Sequence, residues 1–352
     1  MQKQFTRKHL NNKIFAYIIA VGFLIISMLL GISIGTVSVP AMDIIKIIGA
    51  EIFRMTPNEQ VDSMFSNIVM NIRLPRVILA GLVGASLAIA GAAFQGLLRN
   101  PLADPYTLGV SSGASVGAVI TLFFGLSIPY VGLFTLPLLS ILFSFATIFL
   151  VLLFARQVER SMKVETIILT GIIFSSFLGA FISLMIALTG EELGQFIGWL
   201  LGSVSMRGWA YIKIIIPFFI IGSVILIINS NELNAMSFGE ERAQHIGVNV
   251  QRRKMMILIA GSILTGAAVA VSGTIGFVGL VIPHLTRLLW GPDHKHLLPL
   301  SILTGGGFLI LADLVARTII SPTELPIGVI TALIGAPVFA IILMKRRTER
   351  RG

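Results

Sequence analysis

The chain has 352 residues, of which 55% are hydrophobic and 12% charged, and its mean hydropathy is +0.94. Soluble domains carry about 25% charged residues, so this composition excludes a water-soluble globular protein and makes lipid the solvent. Disulfides and thiolate metal sites are excluded because there is no cysteine, and the net charge of +10 is accounted for below by where Lys and Arg lie.

A helix needs about 20 apolar residues to cross the hydrocarbon. Lys3, Arg7, Lys8 and Lys13 precede Ile14–Thr36, whose 23 residues exceed a signal-peptide core and lead to no clear small-residue cleavage pattern. It reads as an uncleaved first span. Ser38–Arg73 follows as an external connection, and the helical periodicity of Met42–Phe53 suits an amphipathic helix lying on the surface. Arg73-Leu-Pro-Arg76 opens the second span, Leu74–Leu98, with Pro75 in the first turn, where its missing N–H is harmless. The two arginines either snorkel to the interface or await an acidic external partner. Arg99-Asn-Pro-Leu-Ala-Asp-Pro105 cannot continue the helix. It is a tight turn or an inner constriction faced by Asn100 and Leu102. Spans three to five are Thr107–Phe124, Tyr130–Phe154 and Thr166–Thr189, the third carrying a small-residue patch, Ser111–Gly117, suited to close packing.

In the second half, Gly190–Gly208 suits a short external helix, and Tyr211–Asn229 is the sixth span. Ser230–Lys254 is the largest internal loop, within which Glu240–Gly247 reads as a short helix stopped by Gly247. That charged helix is either a solvated cap or a handle for a cytoplasmic motor. Met255–Thr274, Phe277–Trp290, Leu297–Thr318 and Ile327–Met344 complete ten spans. The eighth has only 14 residues, which suggests a broken or re-entrant piece. His294-Lys-His296 reads as a solvated loop rather than a metal site. Asp313, the acid placed within a span, stands four residues before Arg317 on one helix face. The two either neutralise each other or leave Arg317 at the outer mouth.

With the amino terminus inside, 19 of the 26 Lys and Arg fall on the internal side, as the positive-inside rule prefers. The basic balance is therefore topological and implies no nucleic-acid partner. Gly84–Gly91 (GASLAIAG) and Gly266–Gly273 (GAAVAVSG) lie 182 residues apart and share four of eight positions. Five spans per half would set the second half upside down, an inverted repeat of about residues 1–189 and 190–352 within one domain covering 1–352.

No Gly-Lys pair occurs, hence no nucleotide-binding loop of the G-x-x-x-x-G-K-[ST] kind, and no H-E-x-x-H. With neither a catalytic constellation nor a cofactor motif, the expectation is a non-enzymatic transporter without cofactor or metal.

Six stretches are similar to the iron-siderophore and cobalamin class of ABC importer permeases. They are RLPR (73–76), GAAFQGLLRNPLADPYTLGVSSGASVGA (91–118), SFGEERAQHIGV (237–248), GTIGFVGLVIPHLTRLLWG (273–291), LADLVAR (311–317) and ELPIGVITALIGAPVF (324–339). The resemblance implies an all-α polytopic membrane protein of the type II ABC importer class, with ten transmembrane helices. It implies a homodimer, or a pair with a paralogous permease, with two cytoplasmic ATP-binding subunits and an extracytoplasmic substrate-binding protein. Localisation in a bacterial cytoplasmic membrane with both termini inside follows. By motif, Arg73, Arg76 and Arg317 resemble the arginines that meet binding-protein glutamates, and Asn100 and Leu102 resemble part of the cytoplasmic gate. Glu240, Glu241, Arg242, Gln244, His245 and Gly247 lie in the segment that resembles the ATPase-coupling helices of loop 230–254. Lys163–Thr166 occupies the place of a second gate element, although its sequence departs from the family's small polar residues. The cargo implied is a bulky metal chelate, an iron(III)-siderophore first, with cobalamin or haem as alternatives. An ion-coupled secondary carrier is the competing reading.

Overall fold

The computed structural model describes residues 2–35, 37–52, 63–160, 162–190 and 193–349. The described residues form helices and connections, with no strand among them. Arg54 and Phe53 of the first external connection lie outside the described residues, as do the last three residues of the chain and the side chains of the basic tail from residue 345 onward.

In chain order the helices are α1 (Gln2–Ser33), α2 (Ala41–Ile52), α3 (Ser63–Asn67), α4 (Leu74–Leu97), α5 (Val110–Phe123), α6 (Thr135–Val158), α7 (Val164–Leu188), α8 (Leu193–Leu200), α9 (Gly208–Ile228), α10 (Ser230–Ser237), α11 (Glu240–His245), α12 (Val250–Ser272), α13 (Val278–Trp290), α14 (His294–Thr318) and α15 (Ile327–Glu349). Among the described residues, seven stretches are long and apolar enough to cross a membrane. Three shorter apolar helices, Val110–Phe123, Val278–Trp290 and Ile327–Ile341, lie where spans three, eight and ten were expected.

The helices α4 and α12 run through the centre and bury most of their residues, whereas only 17% of the apolar stretch of α7 is buried. The widest contact joins α4 to α14, and α12 packs on α6 and α9. Close approach depends on glycine at the first position of the repeated octapeptide. A Cβ on Gly84 would fall 2.3 Å from Gly305 O, and one on Gly266 would fall 2.2 Å from Ser144 Oγ. The last position of the octapeptide differs between the copies. Gly91 stays inside α4, where a Cβ would lie 1.8 Å from Gly279 O. Gly273, at φ +71°, ends α12. The chain therefore breaks at different places in the two copies, after Leu98 in one and at Gly273 in the other, rather than at matched positions.

The short helices α5 and α13 start beside the middle of α4 rather than at its ends. A Cβ on Gly279 would lie 2.9 Å from Leu87 O, in the middle of α4, and 3.2 Å from Pro105 Cδ. Residues 99–109 thus fold back along α4 before α5 begins, and α13 begins beside them. Tyr106 ties the two breaks together. Its hydroxyl donates to Ile275 O at 2.8 Å and accepts from Ile275 N at 3.1 Å. These bonds satisfy backbone polar groups that lipid would leave unpaired. The third span consequently begins later than Thr107. Pro105–Leu108 forms a 3-10 turn, and Gly109 (φ +78°) re-aims the chain into α5.

Other boundaries shift for local reasons. The helical run of the second span starts at Ser63, because a π-helical turn, Ile68–Arg73, joins α3 to α4. Its wide turn, closed by Leu74 N–H to Val69 O, precedes Pro75, whose ring would clash with the carbonyl four residues back in a regular helix. The surface helix α2 matches its amphipathic pattern, with Ile44 and Ile47 buried and Met42 and Ile45 exposed. The short helix α8 buries Phe196 and Trp199. The internal loop contains an additional helix, α10, and α12 begins at Val250 instead of Met255.

Candidate functional site

The polar residues gather in two groups at opposite ends of the bundle. One end is built by the first turn of α4, the last turn of α14, the end of α1 and the 319–326 connection. Arg76 is its centre. Nε meets both oxygens of Asp313 at 3.1 and 3.0 Å, and Nη2 meets Oδ1 at 2.9 Å. On its other side the guanidinium grips Glu324, Nη1 to Oε1 at 2.7 Å and Nη2 to Oε2 at 3.0 Å. Asp313 is 1% exposed, and the Glu324 side chain is 40% exposed. The Arg76 fork therefore joins one buried and one accessible carboxylate, the bidentate geometry for which arginine is suited. The hydrogen bonds from Arg76 hold the Glu324 carboxyl below the usual glutamate range.

The other two sequence-selected arginines face the same end and are also internally engaged. Arg73 donates through Nη1 to Ile32 O at 2.7 Å and Ser33 O at 2.9 Å, and through Nη2 to Val37 O. It thereby satisfies carbonyls at the C-terminus of α1, which have no partner within that helix. Arg317 donates through Nη2 to Gly31 O, and its Nε stands 3.9 Å from Asp313 Oδ2. The i,i+4 pairing of Asp313 with Arg317 is thus the looser of the two contacts made by Asp313. The closer partner, Arg76, is 237 residues away in sequence. Sequence reasoning missed both this pair and Glu324.

The opposite end is built around α10 and α11. Ala243 is the buried anchor of α11. Glu241, Arg242, Gln244, His245 and Gly247 are exposed, as are Phe238 and Ile246, both 72% exposed. Gly247 adopts φ +89°, so it ends the helix in a conformation that side chains disfavour. A groove of about 370 Å³ beside it is lined by Glu232, Ile246, Asn249, Arg252 and Arg253 among others. Glu240 turns inward instead and pairs with Lys254 at 2.7 Å. Asn100 caps its own turn, Oδ1 accepting from Leu102 N at 2.9 Å, and Leu102 is 44% exposed. Gly239, just before α11, approaches Arg99 (a Cβ there would lie 3.8 Å from Arg99 Nη1). Lys163 precedes α7 and pairs with Glu159 at 2.7 Å, which raises the affinity of this exposed amine for its proton.

His294 departs from the solvated-loop expectation. It is 3% exposed and opens α14, with Nδ1 2.8 Å from Asn234 Oδ1. The Asn234 side chain also accepts from His294 N at 2.9 Å and donates to Asp293 Oδ1 at 2.8 Å, binding α10 to the start of α14. Burial pushes the Asp293 carboxyl up, but the Asn234 and Lys295 hydrogen bonds together with the charges of His296 and Lys13 outweigh it, and its pKa lies below the usual value. No group of three His, Cys, Asp or Glu suited to a metal occurs among the described residues.

The FecCD transport family model matches residues 23–345. An uncharacterised ABC transporter permease protein of Bacillus subtilis, YvrB, is 63% identical over 352 residues, covering 100% of this chain and 99% of its own. The cobalamin import system permease BtuC of Halobacterium salinarum is 42% identical over 282 residues, covering 80% of this chain and 74% of its own. Among solved structures, a metal-chelate type ABC transporter in an inward-facing conformation superposes with a TM-score of 0.80 at 36% identity, covering 93% of this chain and 97% of that one. An apolar helical bundle with a charged, exposed α11 loop at one end and a bidentate arginine cluster at the other, matched over nearly its full length, makes this chain an integral membrane protein that belongs to the FecCD transport family of ABC importer permeases.

Proposed function

We propose that the chain is the membrane-spanning subunit of an ATP-driven importer for a bulky metal chelate, with an iron(III)-siderophore as the first cargo to test and cobalamin or haem as alternatives. Its likeness over nearly its whole length to a metal-chelate type transporter carries this reading. Ten crossings with both termini in the cytoplasm fit the separation of the two polar ends. Residues 13, 99, 163, 234–254 and 293 meet at one end, and residues 31–33, 37, 73–76, 205 and 313–324 meet at the other. An inverted repeat of residues 1–189 and 190–352 is supported by α4 packing on α13 and α14 while α12 packs on α5 and α6.

In this reading two copies, or one copy and a paralogous permease, form the passage, and two cytoplasmic ATP-binding subunits seat on α11. Phe238 and Ile246 give that contact apolar area, while Glu241, Arg242, Gln244 and His245 set its register. Asn100 and Leu102 border the cytoplasmic exit. A binding protein docks at the opposite end, where its carboxylates replace Glu324 on Arg76. Arg317 adds positive charge, and Arg73 fixes the end of α1 beneath them. The permease performs no covalent chemistry. Closure of the ATPases favours one of two permease conformations by differential affinity.

The test is reconstitution with the neighbouring ATPase and binding protein in liposomes loaded with ATP. Uptake of the iron(III)-siderophore that requires all three components is expected. Uptake by the permease alone on an ion gradient would refute the ABC reading. Uptake of cobalamin or haem with rejection of the siderophore would replace the cargo and leave the mechanism standing.

A further inference from the structure

Lys254 is the one residue in the coupling loop whose charge is turned entirely into the protein. It is 1% exposed, and its ammonium lies between Glu240 of α11 (Oε1 at 2.7 Å, Oε2 at 2.9 Å) and the main-chain oxygen of Met162 at 3.1 Å. Two costs attend this placement. An unpaired buried cation is expensive, and a positive side chain in the opening turns of α12 opposes that helix's dipole. The ammonium is therefore stable there only while both partners stay in place. Met162 belongs to the α6–α7 connection and holds φ +48°, a left-handed conformation uncommon for a side-chain-bearing residue. The connection is also clasped internally. Glu159 accepts from Thr166 Oγ1 at 2.7 Å and pairs with Lys163 at 2.7 Å, so Met162 and the first turn of α7 move as a unit. Among the long apolar helices α7 buries the smallest share of its residues within this chain, and elements with little packing shift at low cost.

We propose that Lys254 is a positioning residue that carries displacement of α11 to the lower end of α7. The inference rests on α11 being the ATPase contact. Its elements are a charged joint with one partner on each moving part and a lightly packed helix hung from the second partner.

The test uses the intact permease–ATPase complex. The chain contains no cysteine, so spin labels attached to cysteines are specific when placed at exposed Ser237, beside α11 and outside its ATPase-facing residues, and at exposed Glu165, in the first turn of α7 and outside the Glu159 clasp. Each distance is read against a reference label at Met206, on the opposite end and 97% exposed. In the wild type, ATP binding is expected to move both labels. In Lys254→Met, which keeps the aliphatic stem, the 237 label is expected to move as before while the 165 label stays. Cargo moved per ATP should fall about 10-fold, within the range of typical coupling energies, with ATP hydrolysis retained. Glu240→Gln, which keeps the shape and removes the charge, serves if Lys254→Met does not assemble, with the same pattern expected. A purely structural pair would lower thermal stability but leave both movements and the transport ratio intact, and that result overturns the proposal. Failure of wild-type permease to bind the ATPase, or binding that leaves the 237 label still, overturns the α11 assignment and the proposal with it.

Discussion

Replacing Arg76 by Gln removes the cation that faces two carboxylates at once. The Asp313 side is the expensive one. Its carboxylate is 1% exposed, and after the change its nearest charged neighbour is Arg317 Nε at 3.9 Å, beyond hydrogen-bond reach. Breaking a buried pair by removing one partner costs about 3–5 kcal/mol. The Glu324 side is cheap because its side chain is 40% exposed, and exposed pairs contribute about 0–1 kcal/mol. Arg76→Gln is therefore expected to destabilise by about 3 kcal/mol or more, Glu324→Gln by less than about 1 kcal/mol. Arg76→Gln combined with Asp313→Asn, which leaves two neutral amide groups able to hydrogen-bond, should recover most of the loss. Unfolding of the purified permease by SDS in mixed micelles measures these three variants and the single Asp313→Asn against the wild type. A single Arg76→Gln variant as stable as the wild type, or a double variant that loses the sum of the two single losses, would refute the buried-pair argument.

The accessible carboxylate gives a second expectation, that Glu324→Gln, by freeing one side of the Arg76 fork, strengthens capture of the binding protein in a pull-down, whereas Arg76→Gln weakens it. The ion pair also has a defined pH window. Because Arg76 depresses the Glu324 pKa below its ordinary 4.5, the contribution of the pair is fully present above that value and is lost as pH falls through the lowered one. The stability difference between wild type and Glu324→Gln should be constant from about pH 6 to 8 and vanish in more acidic solution, as unfolding at several pH values would show. At the other end, Arg242→Glu reverses an exposed charge on α11 and should abolish co-purification of the ATPase without lowering permease stability. In the core, Gly84→Val would place a side chain against Gly305 O, where a Cβ already falls 2.3 Å away. Backbone cannot rotate aside, so a loss of about 1–3 kcal/mol or more is expected. Gly81→Ala, whose Cβ would meet only the Ile310 side chain, Cδ1 at 3.4 Å and Cγ1 at 3.9 Å, is the tolerated control in the same unfolding measurement.

The apolar segments, the amphipathic α2 and the short α11 ended by Gly247 were legible in the sequence because each is decided within a few residues, by hydropathy, by periodicity or by one left-handed glycine. What escaped was decided across the fold. The i,i+4 rule couples Asp313 to Arg317, but it sees one helix at a time and cannot register that α4 brings Arg76 closer. His294 looks solvated beside Lys295 and His296, yet the turn of α10 places Asn234 over it. The two octapeptides resemble each other most where both meet a facing helix, at Gly84 and Gly266. They part at Gly91 and Gly273, where one chain continues in helix and the other must turn to reach the mid-depth crossing with Tyr106.

That crossing and the α4–α14 contact join the two ends of the bundle. Asp313 and Arg317 lie in the last turns of α14 and engage α4 and α1 at the Arg76 end. His294 opens the same helix at the α11 end, against Asn234 of α10, and a Cβ on Gly96 of α4 would lie 2.2 Å from its Nε2. The helix α14 is therefore fastened to α4 at both ends and, through Gly84 and Gly305, in the middle. A helix pair fastened at three levels behaves as one rod, since packed interfaces switch between discrete arrangements rather than deform continuously. By contrast α7 buries only 17% of its apolar stretch within this chain, where it packs on α5, α6 and the Pro105–Leu108 turn. In the proposed importer, docking and ATP binding would then act on different parts of one frame, with α4–α14 carrying the position of the whole subunit and α7 shifting against it.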